Sequence, residues 1–506
     1  MNISRLLRLL WFLAALLLQI GCGSPSPSSS TSPGGVSSQR FSLSRGTVSA
    51  TQHPLVARYD LSVPNASQVS VEFGTDVTYG RKTSSQAAPE GGGVTELLVA
   101  GMRASTTYHM RANVTLLDGT TLFDSDHIFT TGALPMASFP SVTVSSAAGS
   151  NTGSGVDLLS SLGTDVSAVV IDRDGSVIWY YYDPTLPQFA YPIRQLSNGN
   201  FLVNFGANLR EVDLSSRIVR EVTVDQINAG LAAAGYSLHA AAIHHDALRL
   251  PNGHLILLMY EARDFQDLPG YPGTTTVIGD DLVDLDPNNR PVWVWRAFDH
   301  LDVNRHPFMF PDWTHANAIV YTPDGNLLLS LRHQSWILKI DYARGTGGGN
   351  VLWRLGPGGD FSLSGGDPAQ WFYCQHFPAL LQTQGSQFSF ALYDNGDTRP
   401  DSTGQPCTGN GTCYSRAITM DVDESARTAH VSWQYAPGWY SSWGGSIAVL
   451  PNGDVEFDST TPNNLNSRVT EVTPGSNSSV VWQMDTSNAF FYRAYGISSL
   501  YPGVQW

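Results

Sequence analysis

The sequence predicts an all-β fold, a six-bladed β-propeller preceded by a small β-sandwich, on three observations. Only 14% of the 506 residues are charged, while Gly and Pro number 48 and 29, a turn-rich composition that excludes a coiled coil; an average soluble protein has roughly 25% charged residues. Aromatic residues are plentiful, with 13 Trp, 20 Tyr and 21 Phe, too apolar a content for disorder. From about residue 155 one pattern recurs: an apolar strand, an Asn-Gly or Asp-Gly turn, and a second apolar strand. The net charge of −15, with Lys82 and Lys339 the only lysines, argues against a nucleic-acid binder, which needs a basic footprint.

Taken in order, residues 1–22 read as an export signal. Arg5 and Arg8 precede a short apolar run over 9–20, too short for a relaxed membrane span. Ile20-Gly21-Cys22 resembles a bacterial lipoprotein cleavage site, which makes Cys22 a lipidation candidate; a plain signal peptide is the alternative. Residues 23–40 are a Ser/Pro/Gly linker that cannot build a core. The expectation is an exported protein, a periplasmic or cell-envelope lipoprotein of a bacterium, tethered through its N-terminus. In such an oxidising compartment disulfides persist. Cys407 and Cys413 flank a short Gly-containing loop that a disulfide could close. Cys374 is then either buried and inert or an alternative partner.

Residues 41–133 carry short alternating runs, such as 57–63, 69–73 and 107–114, separated by turn residues. This spacing predicts a sandwich of fibronectin type III or immunoglobulin-like kind. Residues 140–506 are expected to form the propeller. Its turns are Asp174-Gly175, Asn198-Gly199, Asn252-Gly253, Asp324-Gly325 and Asn452-Gly453, with a weaker Gln384-Gly385. Such dipeptides between apolar runs are the strongest short-range hairpin signal. Trp179, Trp295, Trp353 and Trp482 close units. Residues 492–500 are expected to complete the blade begun near 166–180, closing the ring and removing sheet edges. No stretch reads as a long amphipathic helix.

Three histidines stand in matching register, each in a His-x-x-Ala-Leu/Ile motif: His244, His315 and His376. They precede the turn glycines Gly253, Gly325 and Gly385 by 9, 10 and 9 residues. Equivalent positions in successive blades converge at the mouth of the central channel, so three imidazoles are expected to meet. Strand alternation puts His244 and Asp246 on one face and His245 on the other, although the loops leave His245 open. Asn317 shares the face of His315. Arg332 follows an apolar run in Leu329-Ser330-Leu331-Arg332; it either forms a salt bridge or binds an anion at the channel. Trp313 and Trp371 flank the motifs and either stack on an aromatic ligand or belong to blade cores.

The segments Asp312-Trp313-Thr314-His315-Ala316-Asn317, Ser330-Leu331-Arg332-His333-Gln334-Ser335, Gln375-His376, Asp394-Asn395-Gly396-Asp397 and Tyr414-Ser415-Arg416 together resemble the bacterial arylsulfotransferases. The resemblance implies a propeller enzyme without a cofactor. It would move a sulfuryl group from a phenolic sulfate donor to a phenol acceptor through a sulfated histidine. Residue by residue it implies His376 as nucleophile, His315, Asn317 and Arg332 as sulfuryl-binding groups, and His244 or His245 completing the set. The cysteine loop comes after the reactive histidine, inside the 394–414 segment, so no disulfide role carries over from the family. A homodimer is also expected.

Two other classes compete. A metal-dependent sulfate or phosphate ester hydrolase would use His244, His315 and His376 as a three-His site with an open position. A propeller that only binds a glycan or a protein would leave the histidines without chemistry. Stoichiometric metal in active protein, or failure to release phenol from an aryl sulfate, would separate them.

Overall fold

The computed structural model describes residues 43–506 apart from 66, 188, 190, 410, 463 and 464. The export signal, Cys22 and the linker lie outside the described residues. The rest is built almost wholly of antiparallel strands.

The N-terminal part has two sheets. One pairs Thr47–Ala50, Ala57–Val63 and Gly93–Val99; the other is centred on Gln68–Gly74 and Thr107–Thr115. Burial alternates along Ala57–Val63, with Tyr59 and Leu61 inward and Arg58 and Ser62 outward, as expected for a strand with one wet face. The same core contains Phe73 and Val99 from these sheets and Trp179, Phe201 and Tyr501 from the later part of the chain. The phenol of Tyr501 donates to the Leu98 carbonyl at 2.7 Å and accepts from the Ala100 N–H at 2.7 Å. A shared core thus joins the N-terminal sheets to the first sheets of the larger, C-terminal part.

Six further sheets succeed one another along the chain. The first holds Val156–Leu162, Ala168–Asp172 and Val177–Tyr181, with the C-terminal strand Phe490–Ile497 paired to Val156–Leu162. The second holds Ile193–Gln195, Phe201–Asn204, Asn208–Val212 and Ile218–Thr223. The third holds Ile243–Arg249, Leu255–Leu268, Tyr271–Leu285 and Pro291–Arg296. The fourth holds Ala316–Tyr321, Leu327–Leu331, Trp336–Ile340 and Val351–Leu355. The fifth holds His376–Gln384, Gln387–Asp394, Arg416–Asp423 and Thr428–Tyr435. The sixth holds Ile447–Val449, Val455–Ser459, Ser467–Val472 and Val480–Thr486, and Val142–Ser146 adds to its outer edge. Contacts between neighbouring sheets run from first to sixth and return to Phe490–Ile497, a propeller-like arrangement.

Two sequence features explain this regularity. In each Asx-Gly turn the glycine N–H bonds back three residues, Gly253 to Leu250 and Gly325 to Thr322 at 2.9 Å each. The glycines sit at φ 87, 86, 84, 88 and 90 in the order Gly175, Gly199, Gly253, Gly325 and Gly453. Glycine takes that left-handed conformation without a Cβ penalty, which gives a type I turn and then a bulge. The tryptophans stitch sheets together. Trp179 donates to Leu214 O, Trp295 to Gly349 O and Trp482 to Arg173 O, each crossing to the next sheet, the last from the sixth to the first.

Two elements depart from expectation. A helix, Val224–Ala233, sits between the second and third sheets and buries Val224, Ile227 and Leu231. Its capping box of Thr223 and Gln226 is a sequence-readable start signal. The strands Leu255–Leu268 and Tyr271–Leu285 extend far past their neighbours as a long hairpin.

Candidate active site

The three His-x-x-Ala motifs lead into the first strands of the third, fourth and fifth sheets. None continues a regular ladder. Register slips lie between Ile243 and Ala247, Ala316 and Ala318, and His376 and Ala379. His245, His315 and Phe377 take φ of 52, 48 and 49, a conformation that costs a non-glycine residue about 1–2 kcal/mol. These bulges re-aim side chains, and they overturn the alternation that favoured His244. The His245 ring stands 4.8 Å from His315 and 5.5 Å from Tyr492. His244 lies behind it, with its Nδ1 2.6 Å from His245 Nδ1.

His376 is buried, with Nδ1 2.7 Å from Asn395 Oδ1. Asn395 spends its amide N–H groups on the carbonyls of Ser441 and Gly444 at 2.8 and 3.0 Å. That fixes its oxygen toward the ring, so His376 donates from Nδ1 and carries its lone pair on Nε2. Burial, and after it the Arg332 cation, holds the imidazole well below its usual pKa; it is neutral at pH 7. Its ring is 6.0 Å from that of Tyr492.

Arg332 does form a salt bridge, with Nη2 2.9 Å from both Asp397 Oδ2 and the Ser442 carbonyl. Its Nη1 meets His333 Nε2 at 2.6 Å, and its buried Nε has no partner. Asp312 orients the neighbouring rings: its Oδ2 is 2.5 Å from His315 Nδ1 and its carbonyl 2.8 Å from His333 Nδ1. Burial alone would raise the Asp312 carboxyl, but the His315 hydrogen bond and the charges of His315, His333 and Arg332 hold it low. His333 is pushed down to about 4 by burial, then by His315 and Arg332.

Asn317 donates to the Gln375 carbonyl at 2.7 Å, and its oxygen is buried without a partner. As placed, it steadies the peptide just before His376. Trp313 and Trp371 lie in sheet cores. Trp313 stacks on Phe298 at 5.2 Å and donates to Arg305 O; Trp371 is buried with Phe372 and Tyr373. Neither ring touches the imidazole cluster. Aromatic rings that do include Tyr191, Tyr492, Tyr260 beside His244 and Phe308, the last stacked on His333 at 4.4 Å.

Among the side chains at the cluster that carried no assignment from sequence are Tyr492, Arg493, Asn395, Asp312 and His333. The last three stand inside the quoted motifs. Tyr492 and Arg493 arrive on the C-terminal strand, and no local pattern marks them. Arg493 is fully buried, 3.5 Å from Asp246 and 4.6 Å over the Phe377 ring, with Nε and Nη1 unbonded. Two guanidinium groups therefore serve this spot in a chain of charge −15.

Among the described residues, His244, His315 and His376 do not stand together at metal-ligand spacing. Among the described residues, ligand spacing is met by Asp312, His315 and His333 instead, whose ligand atoms lie within 4.8 Å of one another. Cys407 and Cys413 form a disulfide, tying the loop that begins after Gly396. At Gly396 φ is +83, and a Cβ would lie 2.1 Å from the Tyr414 carbonyl, so only glycine fits between Asn395 and Asp397. Cys374 is buried and unpaired, its thiol pushed well up by burial.

No curated protein sequence matches the chain. Among solved structures, a Bacteroides caccae protein of unknown function is 11% identical, with 73% of this chain and 93% of that one covered and a TM-score of 0.32. A streptogramin B lyase is 10% identical, with 68% and 98% covered and a TM-score of 0.31. A putative 6-phosphogluconolactonase from Bacteroides fragilis is 10% identical, with 85% and 98% covered and a TM-score of 0.32. Likenesses this distant say nothing about activity. The profile of the arylsulfotransferase (ASST) family matches residues 141–493, from the strand on the edge of the sixth sheet to Arg493. With that match over well more than half of its length, the chain belongs to the arylsulfotransferase family.

Proposed function

We propose that the protein transfers a sulfuryl group from a phenolic sulfate ester to another phenol in two steps through His376. The observation that carries this reading is the fixed tautomer of His376, with Nδ1–H on Asn395 and Nε2 free. In the first step Nε2 attacks sulfur, the S–N bond forms, and the S–O bond to the donor breaks with loss of phenolate. In the second step the acceptor oxygen attacks sulfur and His376 leaves neutral. A phenolate leaves readily because its conjugate acid has a pKa of about 10, so aryl esters suit the site better than alkyl ones. Charge on the sulfuryl oxygens is met by Arg332, Arg493 and His315. One cation about 4 Å away is worth roughly 4 kcal/mol at an effective dielectric of 20.

The test is mass analysis of base-quenched or rapidly frozen enzyme after incubation with 4-nitrophenyl sulfate alone. The expected result is a gain of one sulfuryl group on His376. His376→Asn should lose the adduct and transfer activity by more than about a thousandfold. Full activity in that variant would overturn the reading. The Asp312, His315 and His333 cluster favours a second reading, a metal-dependent ester hydrolase. Stoichiometric zinc in active protein, with phenol released at a rate indifferent to added acceptor, would establish it.

We also propose export with a lipid at Cys22. Membrane fractionation of the full chain and of Cys22→Ser tests it: only the variant should appear in the soluble fraction.

A further inference from the structure

We infer that Asp280 and His244 are positioning residues that form a proton relay behind His245, which takes the proton from the acceptor phenol. The inference rests on the two-step transfer proposed above. Three observations carry it. His244 Nδ1 and His245 Nδ1 are 2.6 Å apart, a separation that requires one nitrogen to donate and the other to accept. His244 Nε2 is 3.1 Å from Asp280 Oδ1, yet buried without a hydrogen bond of its own. The carboxylate therefore lies off the N–H direction, at a distance that counts once the ring is charged. Finally, Asp280 cannot swing away, because its other oxygen accepts from the Thr314 hydroxyl and from the Ala316 N–H at 2.6 Å. Those residues flank His315, so the relay is anchored to the fourth sheet while His244 and His245 belong to the third.

These contacts set the tautomers. With Asp280 beside Nε2, His244 keeps its proton there and accepts at Nδ1. His245 then donates from Nδ1 and presents the lone pair of Nε2. Its ring lies among His315, Tyr492 and Tyr191 at 4.8, 5.5 and 5.5 Å. Burial, then the charges of His315, His244, His376 and Arg493, keeps His245 neutral, as an acceptor of protons must be. During the second step the phenol O–H bond breaks and its proton passes to His245 Nε2. The Nδ1 proton of His245 moves to His244 Nδ1. His244 becomes imidazolium beside Asp280, while the S–O bond forms and the S–N bond to His376 breaks. In the next first step the same proton returns through His245 to the departing phenolate, so the cycle balances.

A structural role would slow all acceptors alike, whereas a relay matters most for phenols that hold their proton tightly. The experiment uses 4-methylumbelliferyl sulfate as donor and phenol or the more acidic 4-nitrophenol as acceptor. Asp280→Asn keeps the contacts to Thr314 and Ala316 available, and His244→Gln is the second variant. Both should lower transfer to phenol by about 100-fold, with a loss at least ten times smaller for 4-nitrophenol. Equal losses with both acceptors, or none with either, overturn the relay. Sulfuryl mass on His376 in the wild-type protein without acceptor is measured alongside. Its absence overturns the two-step reading and the relay with it; its presence with equal losses overturns the relay alone.

Discussion

The two ends of the same strands use one backbone conformation for opposite purposes. At the turn end, left-handed positions are Gly175, Gly199, Gly253, Gly325 and Gly453; at the other end they are His245, His315 and Phe377. Glycine makes the turns without strain. The motif end accepts strain because its bulges must point imidazoles at one spot, and strain of this kind gathers at functional sites. Charge differs too. Near the turns of the first and sixth sheets, Arg173 stands among Asp157, Glu456 and Glu471, all three buried, with Glu456 at 2.6 Å. There carboxylates outnumber the cation. At the imidazole cluster, Arg332 and Arg493 keep unbonded nitrogens. One end holds surplus carboxylate around a single cation, while at the other each guanidinium has a carboxylate partner and still has donors left over.

The largest expected break in this contrast is Arg173→Met. It leaves three buried carboxyl groups without their cation, and should destabilise by about 3–5 kcal/mol in chemical denaturation near pH 8. The loss should shrink as pH falls, because burial raises all three carboxyls and they gain protons sooner than exposed ones. Next comes Asn395→Ala, which frees the His376 tautomer and should lower kcat by about 100-fold with little change in unfolding midpoint; a shift in midpoint with unchanged kcat would place Asn395 on the structural side.

A smaller effect concerns pH. Burial, then the charge of Asp157, pushes Glu456 up to about 8, above its unfolded value. A raised folded pKa means stability present at low pH and lost as pH rises through that value. Thermal scans should therefore show stability falling between about pH 5 and 8 and levelling above that, by a few kcal/mol in order of magnitude, and Glu456→Gln should flatten that fall. The smallest effect is Gly253→Ala at a turn with φ +84. It should cost about 1–2 kcal/mol and leave transfer kinetics as they are; lost activity would mean the turn end is not separate from the site.

Much of the fold was legible in residue order because the signals are local. The Asx-Gly turns and the tryptophans that close sheets stand where the repeat puts them, and the C-terminal strand does join the sheet containing 168–181, through Val156–Leu162, which lies ahead of the expected 166–180. His315, His376 and Arg332 do reach one cluster. The choice between His244 and His245 was not legible, because a bulge inverts facing after a single residue. Trp313 and Trp371 look like ligand platforms beside the motifs, yet their rings point into cores.

Residue order is enough to set the strands and the turns, since each depends on neighbours within a few residues, and the repeated histidine motif with the family resemblance is enough to single out the candidate reactive histidine. The protonation pattern comes from packing. Asn395 reaches His376 from 19 residues away and Asp280 reaches Thr314 from 34, while Tyr492 and Arg493 arrive on the strand that closes the first sheet. Tautomer and charge are set by whichever groups packing brings within about 3 Å, and no spacing along the chain records that distance.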